Sequence, residues 1–242
     1  MRGNQTYNIS NLIRRIIEMK FGFIFADDME YNPFLEIALE KGGEEIDDCP
    51  LSAVTVNYGE HQIFAVHSGV GKVNAAFAAQ LLKNAFDVDY ILSAGLSGAI
   101  SGLKKNDIVA GETYVECDFD LRIFGYKLGQ KTDGVYIIPG SEVLLDAAKK
   151  VPGIKSGALG TGDFFLADKE KKDEYLNEFH INAFDMESAA IANVCSKLQV
   201  PFISVRKISD DADDSAADSY TELNNLAEKA LSEILLSIVE KM

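Results

Sequence analysis

The sequence predicts an α/β fold, a single domain with a central mixed β-sheet flanked by helices. Three observations point there. Short apolar runs that read as buried strands alternate along the 242-residue chain with segments of helical periodicity. Two of those runs are separated only by Gly59-Glu60, which reads as a hairpin and makes the sheet mixed rather than purely parallel. Apolar residues make up 47% of the chain, enough for one large core.

The elements follow in order. Met1 to Lys20 is basic but lacks the apolar centre of a signal peptide. Residues 1–18 read as an N-terminal extension, a start-codon artefact or a loosely attached helix, and residues 19–242 as the domain. The first strand is expected over Phe21 to Ala26. A helix follows over Pro33 to Lys41, then the hairpin strands Leu51 to Tyr58 and His61 to Ser68. Lys72 to Phe86 is the next helix, and Asp89 to Ala94 the next buried strand. Further strands are expected over Asp107 to Cys117, Ser156 to Thr161, Ile181 to Met186 and Pro201 to Ile208. Helices are expected over Ser141 to Lys150 and Glu187 to Leu198. The segment Ser219 to Met242 is amphipathic, with Leu223, Leu226, Ala230, Leu231, Ile234 and Leu235 recurring at helical spacing.

Composition excludes several classes. The 23 basic and 38 acidic residues leave a net charge of -15, and no basic run occurs. A nucleic-acid binder shows a basic face, so no nucleic acid is expected as partner. No stretch approaches the length of an apolar transmembrane helix. Cys49, Cys117 and Cys195 are odd in number and lie far apart, without metal-ligand spacing. Neither a disulfide framework nor a zinc site is expected, which fits a reducing cytoplasm. Asn8-Ile9-Ser10 matches a glycosylation acceptor, which means little without secretion.

Ligands of open α/β sheets gather beyond the carboxyl ends of strands. Carboxylates and glycines collect there from distant parts of the chain: Ala26-Asp27-Asp28-Met29-Glu30, Ser68-Gly69-Val70-Gly71-Lys72, Gly95-Leu96-Ser97-Gly98, Thr161-Gly162-Asp163-Phe164-Phe165, Asp185-Met186-Glu187 and Ser209-Asp210-Asp211. Singly, each has a plainer explanation. Ser68 to Lys72 lacks the spacing of a phosphate-cradling loop and reads as a tight turn. Gly95 and Gly98 permit close backbone approach. Asp185 and Glu187 favour a helix N-terminus. The acidic run Asp210, Asp211, Asp213 and Asp214 lacks the closing glutamate of a calcium loop and reads as solvated.

Taken together these segments resemble the bacterial 5'-methylthioadenosine/S-adenosylhomocysteine nucleosidases of the nucleoside phosphorylase superfamily, from about Phe21 to the C-terminus. The resemblance rests on Ser68 to Lys72 with Ala75-Ala76, Asp107-Ile108-Val109, Phe124-Gly125-Tyr126 with Gly129-Gln130, Thr161 to Phe165, Asp185 to Glu187 with Ala190-Ile191-Ala192, and Val205 to Asp210, in matching order and spacing. It implies a nucleoside phosphorylase/hydrolase-like fold and attack by water on the ribose anomeric carbon of an adenine nucleoside. Glu30 matches the glutamate that activates the water, Asp210 the acid that protonates purine N7, and Glu187 the glutamate that holds ribose hydroxyls. Arg206 and Ser209 match neighbours that organise the water site and the acid. Met186 would pack under the sugar, Phe165 would stack on the base, and the backbone of Leu166 would read its edge. Gly95 belongs to the substrate site, and Val70, Leu121, Phe124, Tyr126 and Tyr220 are candidates for the 5' pocket. No metal or organic cofactor is implied, and a homodimer is.

Phosphorylases of this superfamily need cations for phosphate, and their first-strand loop typically supplies glycine and arginine. Here that loop is acidic, which favours hydrolysis. Two positions depart from the nucleosidase pattern. Asp27 stands where the family usually has a methionine of the 5' pocket, and Leu96 where it has Ser or Thr. The alternative readings are a nucleosidase or phosphorylase for another purine nucleoside, and a non-catalytic nucleoside-binding module. The presence of Glu30, Glu187 and Asp210 together weighs against the last.

Overall fold

A computed structural model describes residues 19–134, 136–212 and 228–242. The N-terminal extension, Tyr220, Asp213, Asp214, and Leu223 and Leu226 of the last expected helix lie outside these described residues.

The first strand, β1 (Lys20–Phe25), alternates its side chains between two cores, as a strand of period two must. Phe21, Phe23 and Phe25 point into one core and Ile24 into the other. The chain turns at Asp27 into α1 (Asp28–Glu40), runs through the two-residue β2 (Glu44–Glu45), and forms the expected hairpin of β3 (Ala53–Tyr58) and β4 (His61–His67). Helix α2 (Lys72–Phe86) starts and ends where its periodicity predicts. Its Ala75, Ala78, Ala79 and Leu82 cover the Ile24 side of the sheet.

β5 (Tyr90–Ala99) is longer than expected. The Gly95-Leu96-Ser97-Gly98 segment, read as a loop after Ala94, continues the strand. It does so because β10 (Phe202–Asp210) pairs with it in parallel from Ile91 through Gly98, so its backbone groups have partners along that edge. The remaining strands are β6 (Ile108–Glu116), β7 (Ile138–Pro139), β8 (Ile154–Thr161) and β9 (Ala183–Asp185). β6 pairs antiparallel with β10 and parallel with β8, β8 runs parallel to β9, and β9 returns antiparallel to Gly98 and Ala99 of β5. Five strands thus close a ring, β5-β10-β6-β8-β9, while β1, β4, β3 and β2 extend as an open sheet from the first half of β5. The sheet is mixed, as expected, and more curved than a flat layer.

Helix α1 begins five residues before the expected Pro33. Asp27 is the reason: its side chain accepts from the N–H groups of Met29 and Glu30 and caps the helix from further upstream. Helix α3 (Glu142–Lys149) and helix α5 (Ser188–Leu198) match expectation within a residue or two. Helix α4 (Lys169–Phe179) was not foreseen. It is a surface helix that buries only Tyr175 and Phe179, one turn apart, and its N-terminus is capped by Asp168. The closing helix, α6 (Glu228–Val239), buries Leu231 and Leu235, as expected, in the core that also holds the phenylalanines of β1; Leu236 joins them, while Ala230 is left exposed.

Candidate active site

A cleft of about 580 Å³, counting the solvent space at its mouth, opens at the carboxyl ends of β1, β9 and β10 and beside the second half of β5. Glu30 reaches it from the first turn of α1, where the Asp27 cap sets the helix start. Its Oε2 accepts from the N–H of Ala26 at 2.9 Å and its Oε1 from the N–H of Leu96 at 3.0 Å. Glu30 is buried, and burial, with the nearby carboxylates Asp27 and Glu187, pushes its pKa up to about 8 against the pull of Arg206 and the Ala26 N–H.

Glu187 sits at the junction of β9 and α5. Its Oε1 accepts from the N–H of Gly71 at 3.0 Å, which ties the start of α2 to the site. Its Oε2 lies 3.3 Å from Nη1 of Arg206. Burial and the neighbouring Asp185 carboxylate raise its pKa, opposed by Arg206.

Arg206 points inward from β10 and is almost completely buried. Its Nε lies 3.3 Å from Asp185 Oδ2 and donates to Ser204 Oγ at 2.9 Å and Ser188 Oγ at 3.2 Å. Burial works against its charge, yet Asp185, Glu187 and Glu30 raise its pKa on balance. Gly95 stands between Arg206 and Glu30. A Cβ added there would come 2.5 Å from Arg206 Nη1 and 2.6 Å from Glu30 Oε1. The position serves the approach of these two side chains, and Gly95 itself does not line the cleft.

Asp210 ends β10 and faces the cleft, 3% exposed. Its Oδ2 accepts from Ser209 Oγ at 2.6 Å and its Oδ1 from the N–H of Ala212 at 2.8 Å. Ser209 Oγ also lies 3.3 Å from the Ser97 carbonyl. The pairing with β5 shifts register between Ile208 and Asp210, which turns both side chains of Ser209-Asp210 toward the site. Asp210 is therefore a buried group of the cleft, while Asp211 beside it is exposed and fits the solvated-loop reading.

Val70, Phe165, Leu166 and Met186 also line the cleft, as expected. Phe124 and Tyr126 do not. Phe124 belongs to a single 3-10 turn, Arg122–Phe124, and is 73% exposed. Leu121 precedes that turn and is likewise absent from the cleft.

Sequence reasoning left out part of the support beneath these groups. Asp185, read only as favouring a helix start, accepts from Thr161 Oγ1, from the N–H groups of Glu187 and Ser188, and pairs with Arg206. Ser188 and Ser204 were not singled out at all. Ser204 had a usable signal, since it lies two residues before Arg206 on one strand and so shares its face. Among the described residues no cluster of His, Cys, Asp and Glu is placed to hold a metal ion.

Comparison with known proteins places this geometry in context. The family model described as "Phosphorylase superfamily" matches residues 20–240. An aminodeoxyfutalosine nucleosidase of Helicobacter pylori strain J99 is 31% identical, with 92% of this chain and 99% of that protein aligned. A 5'-methylthioadenosine/S-adenosylhomocysteine nucleosidase of Geobacillus sp. strain WCH70 is also 31% identical, with 93% and 99% aligned. A mutant Helicobacter pylori MTAN, solved with 5'-methylthioadenosine in its active site, superposes with a TM-score of 0.88 at 30% identity, covering 93% of this chain and 99% of that one.

Proposed function

Because the chain belongs to the phosphorylase superfamily, we propose that it is an N-ribosyl hydrolase that releases adenine from nucleosides of the 5'-methylthioadenosine/S-adenosylhomocysteine type. One observation carries the reading. Glu30, Glu187, Arg206 and Asp210 come from distant segments of the chain and meet, buried, around a single cleft.

Breaking the bond between ribose C1' and purine N9 builds positive charge on the sugar and negative charge on the base. Glu30 takes a proton from water as its oxygen bonds to C1'. Asp210 gives a proton to N7, so that adenine leaves neutral with the electrons of the broken bond. Glu187 accepts hydrogen bonds from ribose hydroxyls, and Met186 packs under the sugar. Phe165 stacks on the base and the Leu166 backbone reads its edge. Arg206 holds Glu187 and Asp185 in place, and Ser209 orients Asp210. An acid or base of this kind contributes about 10²–10⁴-fold in rate.

Hydrolysis rather than phosphorolysis is supported by charge. Arg206 is the only cation among the described residues lining the cleft, and its Nε and Nη1 already face Asp185 and Glu187. The test is adenine release from 5'-methylthioadenosine in phosphate-free buffer. Release without phosphate supports the reading, whereas strict dependence on added phosphate overturns it.

The finer assignments are part of the same proposal. The domain spans residues 19–242, with 1–18 as an extension. Homodimerisation is supported by Val73 and Phe77, one turn apart on the outer face of α2, and by Ile123 and Phe124, all left exposed in one chain. In such a dimer Phe124 and Tyr126 would line the partner's pocket rather than their own. No helix among the described residues is long and apolar enough to cross a membrane. The unbridged Cys49, Cys117 and Cys195 support a cytoplasmic setting, where the reaction would serve methionine salvage.

A further inference from the structure

Asp27 lines the cleft beside Glu30, and the chemistry above leaves it unused. Its Oδ1 accepts both capping bonds, from Met29 N–H at 2.9 Å and Glu30 N–H at 3.1 Å. Among the described residues its Oδ2 accepts no hydrogen bond and has no cation beside it. The carboxylate is thus held in one orientation by the helix start, with one oxygen uncommitted. The cleft around it holds four further carboxylates, Glu30, Asp185, Glu187 and Asp210, against the single guanidinium of Arg206, which faces Asp185 and Glu187. Val70, the lining residue expected at the substituent, is apolar.

From this placement we infer that Asp27 selects substrates by the net charge of the group attached to the nucleoside, admitting neutral, zwitterionic and cationic substituents and rejecting those of net negative charge such as phosphate. The inference rests on the nucleosidase reading and deepens it. An apolar wall tolerates a neutral group and leaves an anion unsolvated. A fixed carboxylate adds repulsion with no free cation to relieve it. Selection by a repulsive element of this kind discriminates without improving contacts to the favoured substrate.

The experiment compares adenine release from 5'-deoxyadenosine, 5'-amino-5'-deoxyadenosine and adenosine 5'-monophosphate by the wild type and by Asp27→Asn. Asparagine keeps a capping oxygen and removes the charge. In the wild type, kcat/KM is expected to fall in the order amino, deoxy, monophosphate, with the monophosphate at least about tenfold below the deoxy compound. Asp27→Asn should narrow both ratios by about tenfold, the size of one partly screened charge contact. Equal use of the monophosphate by the wild type, or unchanged ratios in Asp27→Asn, would overturn the inference while leaving the nucleosidase intact. Adenine release from none of the three would instead sink the nucleosidase reading. Calorimetric affinities for the same three compounds then decide the role of Asp27: an order by charge that Asp27→Asn removes sustains it, and equal affinities overturn it.

Discussion

Arg206 Nη1 lies 3.3 Å from Glu187 Oε2, and both side chains are nearly sealed from water. The same guanidinium turns its Nε to Asp185 Oδ2, also at 3.3 Å. One cation therefore offsets two buried carboxylates and stands close to a third, Glu30. Arg206→Met should leave these acids uncompensated and cost about 3–5 kcal/mol of stability. Urea unfolding of the two proteins measures it, and a loss under about 1 kcal/mol would mean that the carboxylates are held by other means.

The proton affinity of Glu30 predicts a pH profile. In the proposed role of base, Glu30 works only when ionised, and its pKa is raised to about 8. kcat/KM should therefore rise with pH up to about 8, close to tenfold per unit well below that point. The profile of Asp27→Asn should be displaced to lower pH, because Asp27 is one of the groups that raise this pKa. A flat wild-type profile between pH 6 and 8, roughly the range over which the rise is expected, would remove Glu30 from the base role.

The same group predicts a stability trend. Its pKa is raised from an ordinary 4.5 to about 8 on folding, so between those values the folded chain holds more proton than the unfolded one. The stabilisation tied to that proton is complete below about 4.5 and is lost as pH rises through about 8, an effect on the order of a few kcal/mol. Glu30→Gln should flatten this part of the stability curve while lowering turnover by about 10²–10⁴-fold. Thermal melts across pH, run beside the activity assay, read both effects.

Asp210→Asn removes the proton proposed to reach N7 and keeps the size of the side chain. Turnover should fall by about 10²–10⁴-fold while adenine still binds. Full activity in this variant would take Asp210 out of the acid role.

Gly95→Ala tests the close approach at the centre of the site. The added Cβ would sit 2.5 Å from Arg206 Nη1 and 2.6 Å from Glu30 Oε1, so one of them must move. Overpacking of this kind typically costs about 1–3 kcal/mol. The expected result is a destabilised protein whose kcat falls more than its KM rises. Wild-type melting and kinetics would show that the pair has room to spare.

Much of the fold was legible because its elements carry their own periodicity. β1 alternates between two cores, α2 repeats small apolar residues on one face, and the β3-β4 hairpin is marked by its two-residue connection. The surface helix α4 escaped because only Tyr175 and Phe179 of it are buried. The second half of β5 escaped because glycines that usually mark a turn are there to make room for Arg206, Glu30 and Asp210. In the site, Glu30, Glu187, Arg206 and Asp210 were legible as motifs, and the structure brings them together. Phe124 and Tyr126 matched a motif equally well but lie outside the cleft, because a motif carries no information on where the fold places it. Ser188 and Ser204 were missed because a serine announces nothing until the buried charge beside it is known.

The ring of strands has a consequence for the order in which the chain becomes whole. β10 docks between β5 and β6, more than a hundred positions after its β5 partners, as the pairing of Ile203 with Leu92 shows. Contacts so distant along the chain form slowly. A growing chain that has reached α5 already carries Glu30, Asp185 and Glu187 but has not yet made their counter-charge. The last strand delivers the guanidinium and Asp210, the proposed acid, together, so ring closure, neutralisation and completion of the proposed machinery become one event. A partly assembled chain is then both unfinished and inert, with little opportunity for a half-formed site to act.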